Sequence, residues 1–452
     1  MSGLTRRRFL AASGGAALAG AFSGCASPVV SSLTGSQPAT ADVLFWHLFG
    51  GGDGANMTTM VDQIQKADRV SVESTLLSWG NPYYTKLALS ASSGRPPDVA
   101  ISHLSRLPLL AQAGLLEPID TPEFADLGIT KDKFTPAAWQ KATVNGRVYA
   151  VPYDTHPFVL FYNVDLAKKA GLLNDAGDDL KPMKGKQDFL DAVAAMKKAA
   201  GGGPKNFGAV MSMTADPSTC WRFFSMIYSG LAGPITTHEG TKVAIDKDAM
   251  QETFAFMQQL TGKSGLMPSN ATSTTATTLF SQGKVGFLFD GEWQIPTYRG
   301  VKTGGGKPLD FNVVPFPALL GPKPVAYADS HSLVVPKSSG RSAKRSADSV
   351  RFIKGLLDES SIWAGGGHIP AWLPVQKSRA FLKQKPQSNY IQAAFNAVYD
   401  PVGWYTGAGS DFQNVVGAVI ASVQSGQVRP AAATGQLTDG LRRFSTALSP
   451  VA

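Results

Sequence analysis

Val144-Asn-Gly-Arg-Val-Tyr-Ala-Val-Pro-Tyr-Asp-Thr-His-Pro-Phe-Val-Leu-Phe-Tyr-Asn163 is the stretch that decides how the rest of the chain is read. Asn145-Gly146 signals a two-residue hairpin, because both central positions of that turn need φ > 0. Val148, Ala150 and Pro152 follow at alternate positions and predict a short strand. Val159–Tyr162 is apolar throughout and predicts a second strand. Pro152 and Pro157 bracket the polar insert Tyr153–His156. Proline cannot donate to a sheet ladder, so the chain is expected to leave one sheet and enter another here. Polar and aromatic side chains at such a crossing describe the hinge and floor of a cleft between two lobes.

Working outward, Val43–Phe49 predicts a strand and Ala55–Lys66 a helix, with Met57, Met60, Val61 and Ile64 on one face. Strands at Val70–Leu77 and Pro97–Ser102 alternate with helices opening at Pro82 and at Leu104. This alternation argues an α/β lobe with a mainly parallel sheet. Beyond the central stretch, helices are expected at Lys186–Ala200, Trp221–Tyr228, Asp248–Gln259 and Ala276–Ser281, and strands at Phe207–Met211 and Gly283–Phe289. Phe311–Phe316 and Gly365–Pro370 are expected to cross between the lobes, and Ala343–Leu357 to be a helix of the first.

The wording N-G-x-x-Y-A-V-P, followed by Leu160, Tyr162, Asn163, Asp165, Leu166, Lys168, Ala170, Gly171 and Leu172, resembles the extracellular solute-binding proteins of carbohydrate ABC importers, the maltose-binding-protein-like group. Gly283-Lys284 with Gly291 and Trp293, and Gly367 with Pro370 and Pro374, match further recurrent patterns of that group. The resemblance covers most of the chain after its leader. It implies a two-lobed periplasmic-binding-protein fold of the Venus-flytrap type with hinge crossovers. Residues 42–150 and 316–368 would form lobe 1, and 151–315 and 369–452 lobe 2. It also implies carbohydrate capture, delivery to a membrane permease driven by an ATPase, no enzymatic activity and a monomeric state.

The N-terminus is expected to be a leader rather than part of the fold. Arg6-Arg7 with Phe9-Leu10 fits a twin-arginine signal over residues 1–24. Phe22-Ser-Gly-Cys25 resembles a lipobox, with Phe22 where Leu is usual, and makes Cys25 the lipidation site. Residues 25–41 have a tether's composition. Localisation is thus expected in the cell envelope, anchored to the outer face of the cytoplasmic membrane. Cys220, the second of two cysteines, is expected to be a buried inert thiol. A length of 452 residues, 43% hydrophobic and 17% charged, permits a large core without disulfides. The net charge of +9 is scattered among acids rather than clustered, so no nucleic-acid partner is expected.

Sugar rings stack on aromatic side chains and pair their hydroxyls with carboxylates, amides and backbone groups. Open α/β sheets bind ligands beyond the carboxyl ends of their strands. The residues expected there are Trp46, His47, Asp53, Trp79, Ser102, His103, Tyr153, Asp154, His156, Asp290, Trp293, Ser330, His331, Gly367 and Tyr405. For Asp154 a turn role and a ligand role stay open, and Glu292 is expected in solvent. Four of the six His, at 47, 103, 156 and 331, fall in these loops, but no paired spacing such as H-E-x-x-H appears, so no metal site is expected. Two rivals stand beside the carbohydrate reading. A glycerophosphodiester or other polyol phosphate would want a cleft cation, for which Arg106 is the candidate. Gly50-x-Gly52-x-x-Ala55 with Glu73 fits a dinucleotide fingerprint, which an exported NAD(P)-dependent oxidoreductase would carry; the bulky strand entry Phe45-Trp46-His47 argues against it, and no cofactor is expected.

Overall fold

The computed structural model describes residues 41–449 except Arg69 and Ala215. The leader, Cys25 and most of the tether lie outside the described residues. A five-stranded and a seven-stranded sheet carry the fold. In chain order the strands are β1 (Val43–His47), β2 (Val72–Leu76), β3 (Val99–His103), β4 (Val151–Pro152), β5 (Asp154–Asn163) and β6 (Phe207–Val210). There follow β7 (Val285–Gly291), β8 (Phe311–Val314), β9 (Ala326–Asp329), β10 (His331–Val334), β11 (Ile369–Pro370) and β12 (Ala397–Val398). The first sheet has the order β2-β1-β3-β10-β4, its first three strands parallel. The second runs β12-β9-β5-β7-β6, with β8 and β11 also pairing β5.

The chain changes sheet between β4 and β5, where only Tyr153 intervenes, and again between β9 and β10, where only Ser330 intervenes. The two crossovers lie side by side. Tyr153 N–H donates to the His331 carbonyl at 2.8 Å, and the Ser330 hydroxyl donates to the Asp154 carbonyl. The expected crossing is therefore tighter than the prolines suggest, because β5 begins at Asp154 and passes straight through Pro157. Pro157 is tolerated because it faces Ala328 of β9, and the ladder with β7 starts only at Phe158.

All ten residues of β5 are buried. Phe158, Leu160 and Tyr162 enter one core with Phe189, Phe223 and Phe289; Val159 and Phe161 enter another with Phe280 and Tyr298. Burial on both faces is why this strand reads as an unbroken apolar run. A separate core under the five-stranded sheet gathers Phe45, Tyr83, Ile101 and Phe352. Asn145 and Gly146 take φ of 49° and 79°, as the hairpin between 143–144 and 147–148 requires.

The glycine cluster behaves differently from the expectation. Among the described residues the first helix starts at Gly51 and runs to Asp68, so the cluster forms its first turn and not a loop before it. A Cβ on Gly52 would lie 2.8 Å from Pro296, which accounts for glycine there by close packing. Among the described residues no helix is long and apolar enough to cross a membrane.

Candidate ligand-binding cleft

The crossovers hold Asp154, His156, Asp329 and His331 at one level, and a third segment, Gly365–Pro370, brings His368 to them. Gly367 sits at φ +120°, and a Cβ there would lie 2.3 Å from the Glu292 carbonyl oxygen. Only glycine lets this segment press onto the turn after β7.

Asp154 is fully buried. Its Oδ1 accepts from the His331 backbone N–H at 2.8 Å and faces His156 Nδ1 at 3.1 Å. Its Oδ2 faces His331 Nδ1 at 2.7 Å and accepts from Trp363 Nε1 at 2.6 Å. Burial would raise this carboxyl's pKa; His331 and His156 override that and hold it well below the usual range. Its oxygens are thus taken up inside the protein, and it supports two cleft histidines from beneath. His156 itself is pulled down to about 3 by burial and by His331.

His368 lies flat on Trp363, centroids 4.4 Å apart. Its Nδ1 is 2.8 Å from Glu292 Oε1 and its Nε2 3.1 Å from Asp53 Oδ1. Neither contact is aligned as a hydrogen bond, so both ring nitrogens and both Glu292 oxygens stay unsatisfied in that sense. Burial opposes a charge on His368, but Asp53 and Glu292 raise its pKa well above the ordinary value. Glu292, expected in solvent, is fully buried, and burial raises its pKa to about 7. It is covered because Gly367 closes over it.

Asp53, His156, His331 and His368 line a cavity of about 290 Å³, with Asp154 and Glu292 behind them. Of the residues expected from sequence, it brings together Asp53, Trp79, His103, His156, Trp293 and His331. It adds Asp216, Arg222, Tyr327, Asp329, His368 and Gln413, which the sequence reading did not single out. Trp293 is partly buried, with the Arg222 guanidinium 5.2 Å over its ring and the His156 edge at 5.9 Å. Arg222 also approaches Asp216 at 3.7 Å. Asp329 accepts from the Ser330 and Ser105 backbone N–H groups at 2.8 and 3.2 Å, and burial lifts its pKa to about 7. His103 Nδ1 is fixed by the Tyr84 hydroxyl at 2.7 Å.

The other expected residues stand elsewhere. Tyr153 belongs to the first core, its hydroxyl 3.3 Å from Met60 Sδ. Trp46 packs on that core beneath Lys86. His47 lies between the rings of Phe45 and Phe49, and burial lowers its pKa to about 4. Ser102 and Ser330 are buried and bonded to backbone carbonyls. Asp290 is the last residue but one of β7 and accepts from the Gly291 N–H at 2.8 Å. Tyr405 stacks on Phe444 and donates to the Gly240 carbonyl at 2.7 Å. Arg106 donates to the Ala408 carbonyl and to Asn81 and does not line the cavity. Cys220 is buried in the second core, as expected, and burial raises its thiol pKa.

The family described as bacterial extracellular solute-binding protein matches residues 34–357. A maltotriose-binding protein of Pyrococcus abyssi is 25% identical over 234 residues, 52% of this chain and 45% of that one. A maltooligosaccharide ABC transporter solute-binding lipoprotein of Streptococcus pneumoniae is 24% identical over 302 residues, 63% of this chain and 62% of that one. The matched stretch thus spans between about half and under two-thirds of these relatives. Among solved structures, the GacH receptor of Streptomyces glaucescens, solved unliganded and with acarbose, superposes with a TM-score of 0.71 at 20% identity, covering 89% of this chain and 97% of that one. The sugar-binding protein MalE of Xanthomonas citri gives 0.72 at 18%, with the same coverage.

Proposed function

The chain belongs to the bacterial extracellular solute-binding proteins and has their two-lobed α/β fold, and on that premise we propose that it captures a carbohydrate between its lobes and delivers it to an ABC permease. The observation that carries this reading is a cavity that sets the aromatic rings of Trp293, Trp79 and Tyr327 beside three acids, four imidazoles and the Gln413 amide. Arg222 lies over the indole, 5.2 Å from its centroid, and the part of the ring that lines the cavity is offered to the C–H face of a sugar. Asp53, Asp216, Asp329 and Gln413 supply acceptors for its hydroxyls. The cavity's size suits a mono- or disaccharide, being near the lower end of the roughly 300–1,000 Å³ of ligand pockets. The names of the relatives, maltotriose and maltooligosaccharide binders, support the same class. Closure of the lobes about the β4–β5 and β9–β10 crossovers traps the ligand. No bond is made or broken. The leader exports the chain, and lipid on Cys25 holds it, as a monomer, at the outer face of the cytoplasmic membrane.

Arg222 in the cavity favours a second reading, a polyol phosphate. Its engagement with Trp293 and Asp216 makes it a poorer anion site than a free guanidinium. Calorimetry against glucose, maltose, maltotriose, glycerol 3-phosphate and NAD decides. Micromolar binding of a neutral sugar, lost in Trp293→Ala, is expected. Saturable binding of the phosphate or of the dinucleotide, with no sugar bound, overturns the proposal.

A further inference from the structure

We propose that the cleft floor is a binding site for a divalent transition metal of the zinc type, held by Asp154, His156, His331 and His368. One ligand atom from each of these four side chains lies within 4.8 Å of all the others, and all four residues are buried. Three imidazoles and one carboxylate form a set that suits zinc, cobalt or nickel and not calcium or magnesium.

The distances from Asp154 to the three imidazoles are close to those of a coordination sphere. Two ligands about 2.0–2.2 Å from a tetrahedral zinc stand roughly 3.4 Å apart. The Nδ1 atoms of His331, His156 and His368 lie 2.7, 3.1 and 3.5 Å from an Asp154 oxygen. His368 is already oriented for the task. Asp53 stands 3.1 Å from its Nε2 as an outer partner, and its Nδ1 is turned toward two carboxylates, 2.8 Å from Glu292 and 3.5 Å from Asp154. Asp154 is braced from behind by the Trp363 indole and the His331 backbone N–H. Such outer partners are what fix metal ligands in place.

Two further observations point to a cation. Both ring nitrogens of fully buried His368 and both oxygens of fully buried Glu292 lack an aligned hydrogen bond. Three carboxylates, Asp53, Asp154 and Glu292, find their ion-pair partners in imidazoles alone. Buried carboxylates need compensating charge, and a dication supplies it at one point. His156, His331 and His368 also line the cavity, which gives the ion an entry path and an outward position.

The proposal is independent of which solute the cleft takes. The test uses tag-free full-length protein dialysed against a chelator, without carbohydrate. Calorimetry with zinc chloride should find one ion per chain and calcium chloride none. Cobalt(II) should give the visible absorption of a nitrogen-rich, low-coordinate site, a signal read on the wild type alone. His368→Ala should weaken zinc at least 100-fold. Asp53→Ala, which spares the ligands, should weaken it about 10–100-fold. His238→Ala, an exposed histidine elsewhere, should change nothing. Wild type that lacks the cobalt signal, or zinc binding that His238→Ala weakens as much as His368→Ala does, overturns the proposal.

Discussion

Gly291→Ala is the sharpest test of the cleft, because it moves Trp293 without touching its chemistry. Gly291 has φ −81° and ψ 153°, a conformation alanine adopts freely, so the backbone bears no strain. A Cβ there would stand 2.0 Å from the Trp293 ring. The indole must therefore swing away, and being partly buried it has room toward the cavity. If a sugar stacks on it, stacking worth about 0.5–1.5 kcal/mol is lost. One ring face is roughly a third of the 150–250 Å² an aromatic buries, or about 1.3–2 kcal/mol at 25 cal/mol/Å². Together these give roughly 1.8–3.5 kcal/mol, a weakening of about 20–400-fold. Calorimetry with the best sugar of the panel measures that loss, and thermal melts of the empty protein measure its cost to the fold. We expect the melting temperature to fall by only a few degrees. Unchanged affinity refutes the placement of Trp293 at the ligand, and a large drop in melting temperature with normal affinity makes the ring a core element.

Three other outcomes are expected. Asp98 accepts from the Leu44 N–H at 2.9 Å and pairs with Arg341 and Arg345; Asp98→Ala should cost about 3–5 kcal/mol in urea titration and leave sugar affinity alone, whereas a loss below 1 kcal/mol would show the ion pairs to be idle. Burial raises the Asp290 pKa to about 7, partly offset by the Gly291 N–H and Arg222, so its stabilising contribution is whole below pH 4 and is lost as pH rises through 7. Asp290→Asn should match wild type at pH 4 and exceed it by about 1–2 kcal/mol at pH 8, a value reduced for its partial solvent contact; an advantage that shrinks as pH rises contradicts this. Cys25→Ser should move the protein from the detergent phase to the aqueous phase, and identical partitioning of both forms would remove the anchor.

The fold was legible where signals are local. The crossing near Pro152 follows from proline's missing donor, and the first helix from the periodicity of Met57, Met60, Val61 and Ile64 within 51–68. Glu292 and His368 were not legible. Nothing near Glu292 says that a glycine far downstream will close over it, and His368 is drawn to the cleft by that same segment. The run Gly365-Gly-Gly before His368 was the available signal, since three glycines license a backbone approach that side chains forbid. Trp293 could be placed from the strand that leads to it. Tyr153 could not, because a single residue between two sheets has no periodicity to tell which side it faces.

Strand β5 sets a condition on how the chain folds. Its partners are delivered late: Phe158 pairs with Gly291, Leu160 with Val314, Pro157 with Ala328 and Asp154 with Pro370. Closing such long loops adds little free-energy cost, about 0.6 kcal/mol per doubling of length, but non-local pairing slows folding. During synthesis from the N-terminus, these ten apolar-rich residues wait unpaired until β7 has been made, and the first two keep one edge open until the ribosome has passed residue 370, a stage at which strand edges invite aggregation. The time a nascent chain can be kept from self-association is therefore set by its centre, and substitutions in β5 should show first as lost yield and only afterwards as lost binding.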